Sequence, residues 1–261
     1  MRVLRGLFLA CLLLLNLLSL AEPSRIISLA PNITKSLILL GMEERIVGVS
    51  RYSPLKNREI VGSILQINVE RIYALSPDLV IATPEGNPRA QVERLKTLGL
   101  KVMVLSPERT IEDILSNFLL LGKTLGKEDR ARKIVEETRE RIKEIEERWR
   151  GRKPLRVFIQ VGVNPLVTAG RNTPLHEMVE KAGGENIFSD LSRYPRVNPE
   201  EVWRRDPQVW FVLRMGKETT PPFLKNEKVR VYFLDADKFG SLTPPEVVQD
   251  IRDIYHYLWE K

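Results

Sequence analysis

His176 and His256 are the only histidines among the 261 residues, and Cys11 is the only cysteine. A three-histidine metal centre cannot be assembled from this stock, and a lone thiol gives neither a disulfide nor a cysteine-based zinc site. The phosphate-cradling patterns G-x-x-x-x-G-K-[ST] and G-x-G-x-x-G are missing, as is the nucleophile elbow G-x-S-x-G. Carboxylates are plentiful, but none has a spacing that sets a catalytic pair apart from a solvated helix face. No catalytic residue, metal ligand or resident cofactor is assigned, and no enzyme is expected. The polar residues that do stand out form a repeat. Asn68-Val69-Glu70, followed by Pro77-Asp78-Leu79-Val80-Ile81, recurs as Asn198-Pro199-Glu200, followed by Pro207-Gln208-Val209-Trp210-Phe211, at a constant offset of 130 residues. Each copy taken alone has a local explanation, because Asn caps a helix and an acid in the first turn suits its dipole. The shared spacing to Pro and to the strand beyond it implies a duplicated unit.

The elements that must position these residues alternate along the chain. Strands are expected at 25–30, 46–49, 78–82 and 101–105, with helices at 34–40, 68–75, 88–98 and 110–125 between and after them. Asn32 reads as an N-cap for the first helix. A long charged stretch from Lys127 to Trp149 follows, free of Gly and Pro, with Ile134, Thr138, Ile142, Ile145 and Trp149 forming a stripe three or four residues apart. At 1.5 Å per residue it spans about 35 Å, enough to carry the chain from one lobe to another, and the rival reading is an ordinary surface helix. Beyond it come strands at 155–161, 208–213 and 229–234, and helices at 173–181, 198–205 and 245–259. This traffic implies an α/β fold of two Rossmann-like lobes with parallel sheets, divided as 22–126, 127–150 for the linking helix, and 151–261.

Residues 1–21 lie outside both lobes. Arg2 and Arg5 precede the apolar run from Gly6 to Leu20, and Ser19-Leu20-Ala21 offers small residues before Glu22. That is the layout of a cleaved secretory signal peptide, and the rivals are an uncleaved anchor and lipidation at Cys11. Export to the periplasm or to the outer face of the cytoplasmic membrane is expected. Without Arg2 and Arg5 the chain holds 39 basic and 34 acidic residues, a net charge of +5 with no basic block, which does not indicate nucleic acid. Charged residues reach 29% and Gln occurs five times, a balance seen in thermophile proteins.

From residue 25 to about residue 258 the chain resembles the class III substrate-binding proteins of ABC importers for cobalamin and ferric siderophores, and among them the cobalamin-binding branch. The stretches that carry the resemblance are RIISLAPNITK (25–35), VGVSRYS (47–53), NVERIYALSPDLVIA (68–82), QVERLKTLGLKV (91–102), FIQVGVNPLVTAG (158–170) and GGENIF (183–188). It implies two α/β lobes joined by one long helix, a small-molecule ligand in the cleft between them, a monomer, and delivery to ABC permease membrane subunits. In that family one glutamate per lobe docks onto permease arginines, and Glu70 and Glu200 occupy the matching positions.

The resemblance also implies a ligand site. Pro31, Tyr52 and Tyr194 keep the character expected for stacking on a flat macrocycle. Ile64 and Thr83 stand where tryptophans are expected, Val167 stands for a phenylalanine, and Lys238 with its neighbour Phe239, and Leu242, stand where an acid and an arginine are expected. Arg51, Arg171, Arg193 and Lys238 on the cleft loops favour an anionic ligand, and Asn32, Asn87 and Asn164 lie on turns where they can donate hydrogen bonds. The ligand is thus expected to be cobalamin or a related corrinoid. The alternatives are a ferric siderophore or haem, and, from a different class, an α/β enzyme or sensor module on the same fold.

Overall fold

The structure, a computed structural model, describes residues 22–214, 229–240 and 242–260. The expected signal segment and Cys11 lie outside the described residues. Two sheets are present. In the first, β1 (Ile26–Ser28), β2 (Ile46–Val49), β3 (Glu59–Ile60), β4 (Leu79–Ala82) and β5 (Val102–Val104) run parallel in the order β3-β2-β1-β4-β5. In the second, β6 (Leu155–Val163) is central. It pairs in parallel with β9 (Val209–Arg214) on one edge and with β8 (Gly184–Asn186) and antiparallel β7 (Leu166–Thr168) on the other, while β10 (Arg230–Asp235) continues beyond β9. The fold is therefore α/β as expected, with β7 the one strand among those described that departs from all-parallel sheets. Strands β3, β7 and β8 have two or three residues each, too few for an apolar alternation to declare itself.

Side-chain alternation on the strands builds three cores. Ile26, Leu79 and Ile81 point to one face of the first sheet, and Ile27, Val80 and Ala82 to the other. Val157, Ile159, Val209 and Phe211 do the same on the second sheet against Phe158, Trp210 and Val212. The outer faces stay separate, each under its own short capped helix, α2 (Val69–Ala74) and α7 (Pro199–Arg204). The inner faces merge into a single core through α4 (Ile111–Thr124), α5 (Glu128–Trp149), α6 (Pro174–Lys181) and α9 (Pro244–Trp259).

Helix α5 occupies the stretch expected to link the lobes, and it is embedded on one side. Its buried residues are Ala131, Val135, Thr138, Ile142 and Ile145, while Ile134 and Trp149 are half-buried, so the stripe lies slightly around from the expected one. Gly126, with φ 66°, stops α4 just before it. At the far end the indoles of Trp149 and Trp259 each donate to a carbonyl at the close of α6, Lys181 O and Ala182 O, both at 2.9 Å. They close over Gly183, φ 92°, where an added Cβ would sit 2.8 Å from Trp259 Nε1 and 2.9 Å from the Trp149 ring. Helix α1 (Pro31–Leu39) begins with Ala30 in the cap position, so Asn32 falls in the first turn instead of capping it.

The halves are also tied directly. Glu177 Oε2, on α6, accepts the Ile111 N–H at the start of α4 at 2.7 Å, and Lys35 Nζ on α1 pairs with Glu246 Oε1 on α9 at 2.7 Å. A linking helix packed into both halves, reinforced by these ties, leaves little freedom for hinge motion. Lobe closure between free and ligand-bound forms is expected to be limited to a few degrees. Scattering curves or crystal structures that differ by a large rotation would show that the shared core gives way.

Candidate ligand-binding site

Strands β1, β4 and β5 are neighbours, so the loops leaving their carboxyl ends lie side by side, at the edge where open parallel sheets receive ligands. Asn32 comes from the first turn of α1 (Pro31–Leu39). Thr83, Glu85 and Asn87 come from the loop between β4 and α3 (Arg89–Thr97), and Glu108 from the loop between β5 and α4. They form one network. The Thr83 hydroxyl donates to Glu85 Oε2 at 2.7 Å and the Glu108 N–H donates to Glu85 Oε1 at 2.9 Å. Asn117 and Asn32 donate to the two oxygens of Glu108 at 3.2 and 3.3 Å. Burial pushes the Glu108 carboxyl up to about 7; the Asn117 bond opposes the rise and the negative charge of Glu85 adds to it.

Asn87 has a different part. Its Oδ1 accepts the Thr83 N–H at 2.8 Å, and its Nδ2 donates to Leu29 O at 3.1 Å and Ile64 O at 3.0 Å. It is a buried brace among three loops, with its donors used inside the protein.

Tyr194 comes from the other half, on the stretch that follows β8. Burial raises its phenol pKa; the Arg193 charge opposes that rise and the Glu85 charge adds to it. Tyr194 keeps 46% of its surface open. Arg193 before it has φ 65° and lies 5.8 Å over its ring. Tyr52, after β2, is itself left-handed at φ 69° and 80% exposed. Non-glycine residues held at positive φ cost backbone energy and concentrate at ligand clamps, and here they lie at or beside Tyr52 and Tyr194.

The other expected site residues divide. Pro31 and Ile64 are half-buried beside the network, and Thr83 is buried within it. Arg51 is exposed next to Tyr52, its N–H bonded to Gly62 O at 2.7 Å. Asn164 is exposed at the turn between β6 and β7, Val167 is half-buried and bridges to Arg196, and Arg171 is exposed and bridges to Ser192. Two positions depart from the expectation of open cleft contacts. Phe239, on α8 (Ala236–Phe239), is buried in the shared core, and Leu242 is buried too. Lys238 is ion-paired to Asp253 and lies 3.5 Å from Asp250, so its charge is matched from within; burial lowers its pKa but those two carboxylates outweigh it and the net shift is upward. Neither histidine is placed for metal binding. His176 Nδ1 sits 3.1 Å from Asn186 Nδ2 in the interior, and His256 pairs with Glu260 at 2.5 Å; among the described residues no three potential metal-binding side chains cluster.

Residues 26–230 match the family profile described as periplasmic binding protein. The chain belongs to the periplasmic binding protein family. It is 37% identical over 246 residues to a vitamin B12-binding protein of Yersinia pestis, covering 90% of this chain and 87% of the relative. The crystal structure of a periplasmic vitamin B12 binding protein of Vibrio cholerae superposes with a TM-score of 0.74 at 28% identity, over 91% of this chain and 97% of that one. A periplasmic heme-binding protein of Roseiflexus shares the fold at a TM-score of 0.79 and 24% identity, over 91% and 98% of the two chains.

In this periplasmic binding protein the repeat is structural as well as sequential. Asn68 accepts the Arg71 N–H at 2.9 Å and Asn198 accepts the Glu201 N–H at 2.7 Å, so both cap their helices as expected. Ser76 (φ 45°) and Asp206 (φ 46°), one repeat apart, each precede the conserved-spacing proline of their copy. The Asp78 side chain accepts the Arg25 N–H at 2.9 Å, and the Gln208 side chain accepts the Arg156 N–H at 3.0 Å. The guanidinium of Arg25 then binds Leu75 O at 2.6 Å, and that of Arg156 binds Arg205 O. Each half thus pins its capped helix to its own first strand by one device, and Arg25 and Arg156 were not singled out from sequence. Glu70 and Glu200 sit exposed at equivalent positions; Glu70 pairs with Arg94 at 3.1 Å, and Glu200 has no ion pair among the described residues.

Proposed function

We propose that this protein captures a cobalamin-type corrinoid outside the cytoplasmic membrane and hands it to the two membrane subunits of an ABC permease. The observation that carries the reading is the likeness, over about 90% of the chain and so across both halves, to relatives named for vitamin B12 binding. Two exposed tyrosines on strained loops add flat stacking surface at the cleft, as a macrocycle needs. Residues 1–21 act as the export signal, the mature protein works as a monomer without cofactor or covalent chemistry, and Glu70 and Glu200 each meet one permease subunit. Haem or a ferric siderophore is the second reading, supported by the fold shared with a heme-binding protein and by the exposed Arg51, Arg171 and Arg193.

Binding of cyanocobalamin tests the reading. At a ligand concentration of about 100 times Kd the folded state gains about 2.7 kcal/mol, which corresponds to a rise in Tm of roughly 5–10 °C for a chain of this size. A rise with haem or a ferric siderophore and none with cyanocobalamin would select the second reading. No shift with any of the three would remove the transport assignment.

A further inference from the structure

The 130-residue repeat continues past the two glutamates. Three positions after each of them stands an aromatic residue, Tyr73 after Glu70 and Trp203 after Glu200. The two short helices are buried in the same pattern. Ile72 and Val202 are fully buried and hold α2 and α7 to their sheets, while Glu70 and Glu200 are exposed. Tyr73 keeps 54% of its surface open, and its ring has no partner among the described residues. Trp203 is half-buried, its ring against that of Trp210 with centroids 5.5 Å apart at 61°. Packing accounts for Trp203 in part, since it borders the outer core of its half, but not for Tyr73, which belongs to none of the three cores. Because both helices are pinned to their own first strands by the same device, each carboxylate and ring hold the same place relative to their sheet.

Side chains three apart on a helix are neighbours, with Cβ atoms about 5–6 Å from each other. One guanidinium can use both at that spacing. Its N–H groups bind the carboxylate edge-on, and its flat face lies over the adjoining ring, within the roughly 6 Å over which a ring attracts a cation. An ammonium has no such face. Glu70 already holds a guanidinium, that of Arg94 at 3.1 Å, but both members are exposed and a pair of this kind yields readily to a competitor. We propose that Tyr73 and Trp203 complete the two docking points, so that each half offers a carboxylate and a ring as one receptor for a single arginine side chain of the membrane partner. The inference rests on the docking reading of Glu70 and Glu200. Two equivalent receptors fit a partner that presents the same arginine-bearing surface twice, as a pair of like subunits does.

The experiment measures the Kd of the purified protein for the cognate permease in lipid nanodiscs. Tyr73→Leu, which keeps an apolar side chain and removes the ring, is expected to weaken docking about 10-fold, while Tyr73→Phe keeps the wild-type value. Trp203→Leu is expected to weaken it by a similar factor, and Leu120→Ser, a change at an exposed apolar residue of α4, not at all. The Kd for cyanocobalamin is expected to stay at its wild-type value in all four. Because one guanidinium is shared, Glu70→Gln combined with Tyr73→Leu should lose less than the product of the two single losses, whereas Tyr73→Leu combined with Trp203→Leu should lose the full product. If Trp203→Leu fails to fold for want of its contact with Trp210, the Tyr73 variants decide by themselves. Wild-type docking by Tyr73→Leu, or independent losses at Glu70 and Tyr73, would overturn the shared receptor, and the docking reading would stand as long as Glu70→Gln weakens binding. Wild-type docking by the double reversal Glu70→Lys with Glu200→Lys would remove both.

Discussion

Charge reversal at both repeat glutamates, Glu70→Lys with Glu200→Lys, is expected to stop corrinoid uptake into vesicles carrying the cognate permease while the Kd for cyanocobalamin stays at its wild-type value. Both side chains are exposed on short helices of the outer faces, so neither substitution touches the shared core. Close interfacial charge pairs are worth about 1.5–7 kcal/mol each, and reversal turns attraction into repulsion. Losing two such pairs predicts a fall of more than 100-fold in productive docking. The equivalence of the two positions sharpens the expectation: each single reversal should cost about half of the total in free energy. Transport that survives the double reversal would show that docking uses another surface.

A second large effect is expected inside α9. Asp250 is fully buried, neither carboxylate oxygen has a hydrogen-bond partner among the described residues, and the nearest cation, Lys238, is held by Asp253. Burial drives its pKa up from 3.8 to about 7, with Lys238 only partly opposing. The folded state therefore binds more protons than the unfolded state between about pH 4 and 7. Stability associated with this residue is highest at the acid end of that window and is lost as pH rises through it, so the full penalty is felt above pH 7. Asp250→Asn should then stabilise the protein by roughly 2–4 kcal/mol at pH 8 and by almost nothing near pH 4, as read from denaturant midpoints at the two pH values. A loss of stability at pH 8 would show that the attraction to Lys238 outweighs the cost of burial.

What was legible in the sequence was periodic or punctuated. The long helix announced itself by 22 residues without a breaker, and both asparagine caps by the fixed distance to a proline and a strand. Strands β3, β7 and β8 were not legible, because two or three residues give no alternation to read, whereas the equally short β1 and β5 lie inside longer apolar runs. Asn32 misled as a cap because Pro31 already fixes the first helical position, which moves the cap back to Ala30. The site divided along the same line. Tyr52 and Tyr194 were named from their resemblance to a known pattern and Asn32 from its place on a turn, while Glu85 and Glu108 were passed over, since a carboxylate in a loop has no spacing signal and gains meaning only when strand order puts β4 beside β5. Lys238 looked available because its partners lie 12 and 15 residues away on another helix. Phe239 went to the core because the short helix carrying it packs inward.

The two indoles that close over Gly183 belong to an uneven distribution. All four tryptophans of the chain, at 149, 203, 210 and 259, lie at the end of the linking helix or beyond it, and the first sheet with its helices has none. Tryptophan emission therefore observes one half of the molecule while circular dichroism observes both. A corrin bound in the cleft, which absorbs in the near ultraviolet, would dim only that half's light, so the native fluorescence is a built-in optical label for the C-terminal lobe and a tryptophan placed in the other lobe would be readable against it.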